Sequence, residues 1–351
     1  MSRSQIGRDG LIGLCDRVAA DTGFSGVVRV DLADGSTVER AYGLADRRWN
    51  VPFTVDMRCS IASATKGLTA LTVMALIEAG SLSLDTTARS LLRRDLPLID
   101  EAVTIEHLLA HRSGIGDYFD ESTIGDISDY AMPVPVHQLD STGSYLLVLD
   151  GHEQVSAPDE RFAYNNGGFV VLALLAERAA GERFERLVDD LVARPAGLTG
   201  TAFIRSDSLP PGVATGYLDK TGMRTNALHL PVLGSGDGGL YSTAADIRQL
   251  WIGLFDGRIV SPGSVELLTR PRSDAGEFRY GLGFWLAGDG PMVKLEGCDA
   301  GVSFGSWHDP TTGQTYTVLG NTSEGAWPLL RALAAELGPT EASPPPHLST
   351  R

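Results

Sequence analysis

One stretch fixes much of what this chain can become: the apolar run Gly67-Leu68-Thr69-Ala70-Leu71-Thr72-Val73-Met74-Ala75-Leu76-Ile77-Glu78-Ala79-Gly80, in which Glu78 is the only charge. Its apolar positions leave no wide polar stripe, so it reads as a helix buried on nearly every side and closed by Gly80. Immediately before it, Ser60-Ile61-Ala62-Ser63-Ala64-Thr65-Lys66 puts Ser63 at or near the helix start and Lys66 three residues on. The two side chains then share a face, one turn apart. A lysine at the head of a core helix is costly unless it is paired, reaches water past the helix end, or gives up its proton. Desolvation lowers a lysine pKa, and a neutral amine could take a proton from Ser63. The same four residues also suit a serine cap beside a snorkelling lysine, so the rest of the chain must decide between them.

The chain has 351 residues, 43% of them hydrophobic and 21% charged, enough for a large core in two lobes or one mixed domain. A net charge of -15 argues against nucleic acid and anionic membrane as partners. The first ten residues hold no signal-peptide core, and no later run is of membrane-spanning length, so a cytoplasmic location is expected. Cys15, Cys59 and Cys298 are too few and too scattered for a disulfide framework or a metal site.

Residues 9–22 carry an amphipathic helical pattern. A hairpin follows around Asp34-Gly35, with strands at 25–32 and 37–43. Helical periods and loops dominate residues 67–225, with helices at 90–92, 104–110 and 166–180, the last ending at Gly181. Between them, residues 111–160 form a long polar segment expected to wall or cover a cleft. From about 230 the pattern reads as short strands, at 281–286, 292–296, 302–308 and 315–320, with turns at 288–290 and 309–313. A closing helix is expected at 328–337 and a disordered tail at 339–351. Strands at both ends with helices between them predict an α/β lobe (1–66 and 230–338) interrupted by a mainly helical lobe (67–229).

Five stretches, in order, resemble the serine β-lactamase and penicillin-binding-protein superfamily, in particular its class C branch with the related esterases, D-aminopeptidases and DD-peptidases. Ser63-Ala64-Thr65-Lys66 matches the family's SxxK and Tyr164-Asn165-Asn166 its YxN. Gly80-Ser81-Leu82-Ser83-Leu84-Asp85, His107-Leu108-Leu109-Ala110-His111-Arg112-Ser113-Gly114-Ile115 and Gly238-Gly239-Leu240-Tyr241-Ser242-Thr243 look like further hallmarks. The resemblance implies an antiparallel sheet flanked by helices, with the helical lobe inserted. It also implies an acyl-enzyme on Ser63, Lys66 and Tyr164 as the acid/base pair, and Asn166 as an orienting group. No metal or organic cofactor is called for.

The third motif departs from the family's KTG or HxG. Here the matching strand reads Leu295-Glu296-Gly297, followed by Cys298, so Leu295 occupies the Lys or His position. The resemblance places the oxyanion hole at the backbone N–H groups of Ser63 and Cys298, which need geometry rather than a given side chain. Acyl transfer therefore survives the change, whereas recognition of a substrate carboxylate does not. Lys294, one residue off, would face the other way on a regular strand. These points favour a small ester or amide substrate, with weak β-lactam hydrolysis as a side reaction. A β-lactamase or D-amino-acid peptidase is the second reading, and a non-catalytic sensor of the same fold the third.

Three motifs are set aside. Gly301-Val302-Ser303-Phe304-Gly305 matches GxSxG but continues as strand instead of entering a helix. His107 and His111 have the spacing of a zinc pair without a glutamate after His107 or a third ligand, and read as a hydrogen-bonded structural pair. Gly234-Ser235-Gly236-Asp237-Gly238-Gly239 reads as a turn beside the cleft. Tyr118, Trp285 and Trp307 are candidates for the cleft wall, though each reads more readily as core or surface packing.

Overall fold

The computed structural model describes residues 6–288 and 290–338. The tail expected at 339–351 and the centre of the 288–290 turn lie outside the described residues. Among those described, eight strands form one antiparallel sheet: β1 (Gly26–Asp31), β2 (Thr37–Tyr42), β3 (Ser273–Ala275), β4 (Phe278–Tyr280), β5 (Trp285–Ala287), β6 (Val293–Asp299), β7 (Val302–His308) and β8 (Thr315–Gly320). Their spatial order is β2-β1-β8-β7-β6-β5-β4-β3, so the first hairpin joins the C-terminal strands across the β1–β8 pairing, Gly26 opposite Gly320. The hairpin turns at Gly35, in a left-handed conformation (φ 84°), while Asp34 Oδ1 accepts the Ser36 N–H at 2.8 Å.

Helices cover both faces of the sheet. On one lie α1 (Arg8–Thr22) and the C-terminal helix Ala326–Leu337, with Leu11, Cys15, Trp327 and Leu330 packed on Val28, Trp307 and Tyr316. On the other lie α2 (Thr65–Glu78), α3 (Asn166–Ala180) and α4 (Ala244–Phe255). Helix α2 is buried on nearly every side, as its composition demands; Thr72 Oγ1 returns a hydrogen bond to Leu68 O (2.8 Å) and Thr69 Oγ1 donates to Gly236 O (2.7 Å), so its hydroxyls carry no unpaired cost. Gly67 lets the helix meet the sheet: a Cβ there would fall 2.5 Å from Leu295 Cδ2. One apolar cluster runs from α3 through α2 to β6, β7 and β8, so the helical segment and the sheet share a core.

Two expectations need correction. Residues 281–286 are not one strand: Gly281 N–H bonds Phe284 O at 2.9 Å, closing a loop between β4 and β5, and Gly283 (φ 88°) presses this loop on Ala70 of α2. The apolar content that imitates a strand is burial against a helix. The region after 230 also holds two helices, α4 and Pro262–Thr269, where short strands were expected. The remaining strands begin or end within three residues of expectation, and the last coincides with β8.

Candidate active site

Ser63 lies in the single tight turn Ala62–Ala64 that feeds α2. The turn is sharp because Ala62 takes a left-handed conformation (φ 46°) that non-glycine residues rarely adopt. One turn on, Lys66 is buried with its Nζ 3.0 Å from Ser63 Oγ, 2.7 Å from Asn166 Oδ1 and 2.8 Å from Asp237 O. Burial pulls the amine below the ordinary lysine range, while the carboxylates of Asp237, Glu121, Asp299 and Asp117 oppose the fall.

Tyr164 ends the extended approach to α3. Its ring stacks on Trp285 (centroids 6.1 Å apart) and against His111 (4.4 Å), and Lys66 Nζ lies 4.9 Å from its centre. Burial lifts the phenol well above its usual value, Glu121 and Tyr280 add to the rise, and a hydrogen bond with Ser63 opposes it. The phenol therefore rests protonated beside the serine.

Asn166 opens α3, where Asn165 caps the helix by accepting the Gly168 N–H at 2.6 Å. Besides holding Lys66, the Asn166 amide donates to Phe119 O (2.9 Å) and Glu121 Oε1 (3.1 Å). Asp117 completes the helix start, accepting from Asn166 N–H (2.6 Å) and Gly167 N–H (2.8 Å). Burial raises its carboxyl to about 7 against these bonds. Residues 117–121 thus tie the long 111–160 segment to the amide that contacts Lys66.

The third-motif strand supplies a second edge. Ala287 N–H bonds Met292 O, so Met292, Lys294, Glu296 and Cys298 turn their main-chain groups toward the β5 side of β6. β5 pairs only as far as Lys294, and past that point the Ser63 turn packs closely on β6: a Cβ on Gly297 would sit 2.2 Å from Ile61 O and 2.8 Å from Ser63 N. Ser63 and Cys298 line the same depression. Leu295 faces the opposite way from Lys294 and packs toward Gly67 of α2. Lys294 is fully buried on the other face of the sheet, paired with Glu296 at 2.8 Å and 3.3 Å from the Phe278 ring centre.

Ser63 opens on two depressions. A cleft of ≈ 740 Å3 includes Tyr118, Asn166, Asp237, Gly238 and Asp299, and a smaller one of ≈ 340 Å3 includes Glu121, Tyr164, Trp285, Glu296 and Cys298. Tyr118 and Trp285 thus line the site, whereas Trp307 is core; the hydroxyl of Tyr118 donates to Asp237 Oδ2 at 2.6 Å. The long segment walls the cleft through Tyr118, Phe119, Tyr130 and Met132. Asp117, Asp237 and Asp299 were not singled out from sequence: an aspartate in a Gly-rich stretch looks like turn chemistry, and only the buried carboxyl tells otherwise.

Of the three motifs set aside, the turn at residues 234–239 borders the cleft, while the other two serve the packing of the fold. Ser303 Oγ donates to Thr322 O (2.7 Å) and accepts the Ala326 N–H, as a fastener for the C-terminal helix. His107 and His111 bond separately to backbone: His107 accepts the Thr104 N–H and His111 Nδ1 accepts that of Asn165. Among the described residues no group of side chains has the make-up of a metal site, and no helix is long and apolar enough to cross a membrane.

A profile of the beta-lactamase family matches residues 12–338. The chain belongs to the beta-lactamase family. Among solved structures it resembles a penicillin binding protein from Bacillus halodurans, at 33% identity and a TM-score of 0.86 over 91% of this chain and 99% of that one. Among curated relatives it is 29% identical over 220 residues to the esterase EstB of Burkholderia gladioli, covering 58% of this chain and 53% of EstB. It is 26% identical over 284 residues to penicillin-binding protein 4* of Bacillus subtilis, covering 76% of this chain and 60% of that protein. The chain thus spans little more than half the length of these two curated relatives.

Proposed function

We propose that this chain is a serine hydrolase that forms an acyl-enzyme on Ser63 and hydrolyses a small ester or amide. The observation that carries the reading is the 3.0 Å contact between the buried Lys66 Nζ and Ser63 Oγ. A neutral Lys66 amine takes the Ser63 proton as Oγ attacks the acyl carbon. The charge that develops on the carbonyl oxygen meets the N–H groups of Ser63 and Cys298. Tyr164, held protonated by burial, delivers its proton to the leaving group, and the Lys66 ammonium then reprotonates the phenolate. Water repeats the sequence in reverse and frees the acid. Asn166 holds the lysine in line.

Leu295 supports a substrate without a carboxylate at the third-motif position, which favours simple esters and amides over β-lactams and cell-wall peptides. The test compares kcat/KM for a short-chain p-nitrophenyl ester, a chromogenic cephalosporin and a D-Ala-D-Ala peptide. The ester should be turned over fastest, with activity lost in Ser63→Ala. Faster turnover of the cephalosporin or the peptide would overturn the substrate assignment, and acylation without turnover of any of them would support a sensor.

A further inference from the structure

Tyr164 stands in a stretch, residues 161–165, that belongs to no helix or strand. No regular ladder of main-chain bonds fixes it there, yet a proton donor must keep its hydroxyl within hydrogen-bond reach of the departing atom. His111 supplies the missing anchors. Its carbonyl oxygen accepts the Ala163 N–H at 2.8 Å and its Nδ1 accepts the Asn165 N–H at 3.1 Å. Its ring lies 4.4 Å from the Tyr164 ring, centre to centre. The residues before and after the tyrosine are therefore tied to the same residue on which its phenol packs.

The histidine suits this place in ways that plain packing does not require. Just past the helix Ile105–Leu109 it takes a left-handed conformation (φ 53°), which histidine and asparagine adopt more readily than most residues. It is 1% exposed, among the rings of Phe162, Phe169 and Tyr280. Because Nδ1 accepts, the ring proton sits on Nε2, which meets no acceptor among the described residues. A buried N–H without a partner is costly, so packing alone would favour a hydrocarbon ring here. What the histidine adds is the acceptor at Nδ1. Burial first and Lys66 second pull the imidazole well below its ordinary pKa, so it stays neutral and keeps that acceptor.

We propose that His111 is a positioning residue for Tyr164: its carbonyl and Nδ1 hold the main chain on both sides of the tyrosine while its ring backs the phenol, and together they keep the hydroxyl aimed at the leaving group. This rests on the hydrolase reading above, with Tyr164 as proton donor, and gives His111 no contact with substrate. The consequence is selective. A leaving group that departs as a stable anion needs no proton, whereas an alkoxide does, so a displaced phenol harms only the second kind.

The experiment measures kcat/KM for p-nitrophenyl, phenyl and ethyl acetate on wild type, His111→Ala, His111→Asn and Tyr164→Phe, with a thermal melt of each. All three esters give the same acetyl-enzyme, so the ethyl-to-p-nitrophenyl ratio reads the leaving-group step. His111→Ala removes ring and acceptor together; His111→Asn puts an acceptor back where Nδ1 stands and suits the left-handed backbone, but has no ring. The ratio should fall about tenfold or more in His111→Ala, inside the about 10²–10⁴ that general acid–base catalysis contributes. It should fall less in His111→Asn and most in Tyr164→Phe. A ratio equal to wild type in His111→Ala or in His111→Asn would overturn the proposal, as would an asparagine variant no better than the alanine one; if the alanine variant does not fold, His111→Asn against wild type decides. A ratio unmoved in Tyr164→Phe would remove the proton donor and this proposal with it, leaving Ser63 as nucleophile. No turnover of any ester, together with no labelling of Ser63 by a fluorophosphonate, would remove the hydrolase reading and the proposal alike.

Discussion

Replacing Gly297 by alanine tests whether backbone geometry alone supplies the oxyanion site. The added Cβ would stand 2.2 Å from Ile61 O, 2.8 Å from Ser63 N and 2.9 Å from Ala62 Cβ. Van der Waals contact lies near ~3.5 Å, so β6 and the Ser63 turn must part by about an ångström. All three atoms belong to the turn that carries the nucleophile, and none is the end of a flexible chain. The movement separates the Ser63 and Cys298 N–H groups, which must both reach one oxygen. Displacements of that size cost about 10²-fold, and loss of one donor costs about 10²–10³ in kcat. Overpacking itself costs about 1–3 kcal/mol of stability. Steady-state kinetics on a short-chain p-nitrophenyl ester, with a thermal melt of the same preparation, should show kcat reduced at least about 10²-fold in a folded protein. Gly143→Ala is the control, since a Cβ there meets nothing within 4 Å and the residue is exposed. A folded Gly297→Ala enzyme with undiminished kcat would refute the assignment of the hole to these two amides.

Other outcomes follow from the same geometry. With the neutral Lys66 amine as the proposed base, the acylation rate should rise with pH through a Lys66 pKa below the ordinary lysine range, and Lys66→Arg, which cannot lose its proton, should lose at least about 10²-fold across the range; stopped-flow acylation against pH checks both. The folded protein holds Asp117 protonated up to about 7, while an unfolded aspartate titrates near ~3.9, so the folded state binds the extra proton between these values and stability falls as pH rises through the window. Asp117→Asn should flatten that part of the urea-denaturation profile against pH, and an unchanged slope would contradict the burial argument. Lys294→Met should destabilise by about 3–5 kcal/mol by stranding the Glu296 carboxylate, and Lys294→Met with Glu296→Gln should recover most of the loss in chemical denaturation.

The parts of the fold legible in sequence are those whose local chemistry agrees with their tertiary surroundings. The β1–β2 hairpin carries its own turn at Asp34-Gly35, and α2 and α3 are long enough for their periods to show. Gly181 does take the left-handed conformation that ends α3. Helix α4 was legible too, with Thr243 accepting the Asp246 N–H as a cap and Ile247, Leu250, Trp251 and Leu254 buried on one face. It was overlooked because the strands flanking it set the expected period. The 281–286 run failed for a different reason: its apolar residues answer to α2 across the core, a contact no local pattern encodes. At the site, Ser63, Lys66, Tyr164 and Asn166 stand close together, the first two by helical spacing and the other two where the family resemblance sets its second motif. The aspartates around them were invisible because aspartate in loops is ordinary. Only three-dimensional burial distinguishes Asp117, Asp237 and Asp299 from turn residues.

The most direct test of the central claim is the intact mass of wild type and Ser63→Ala after exposure to a fluorophosphonate, with the adduct mapped by peptide digestion. The account predicts a single adduct on Ser63 in wild type and none in the variant. An adduct that persists in Ser63→Ala, or one mapped to Ser303, would contradict it.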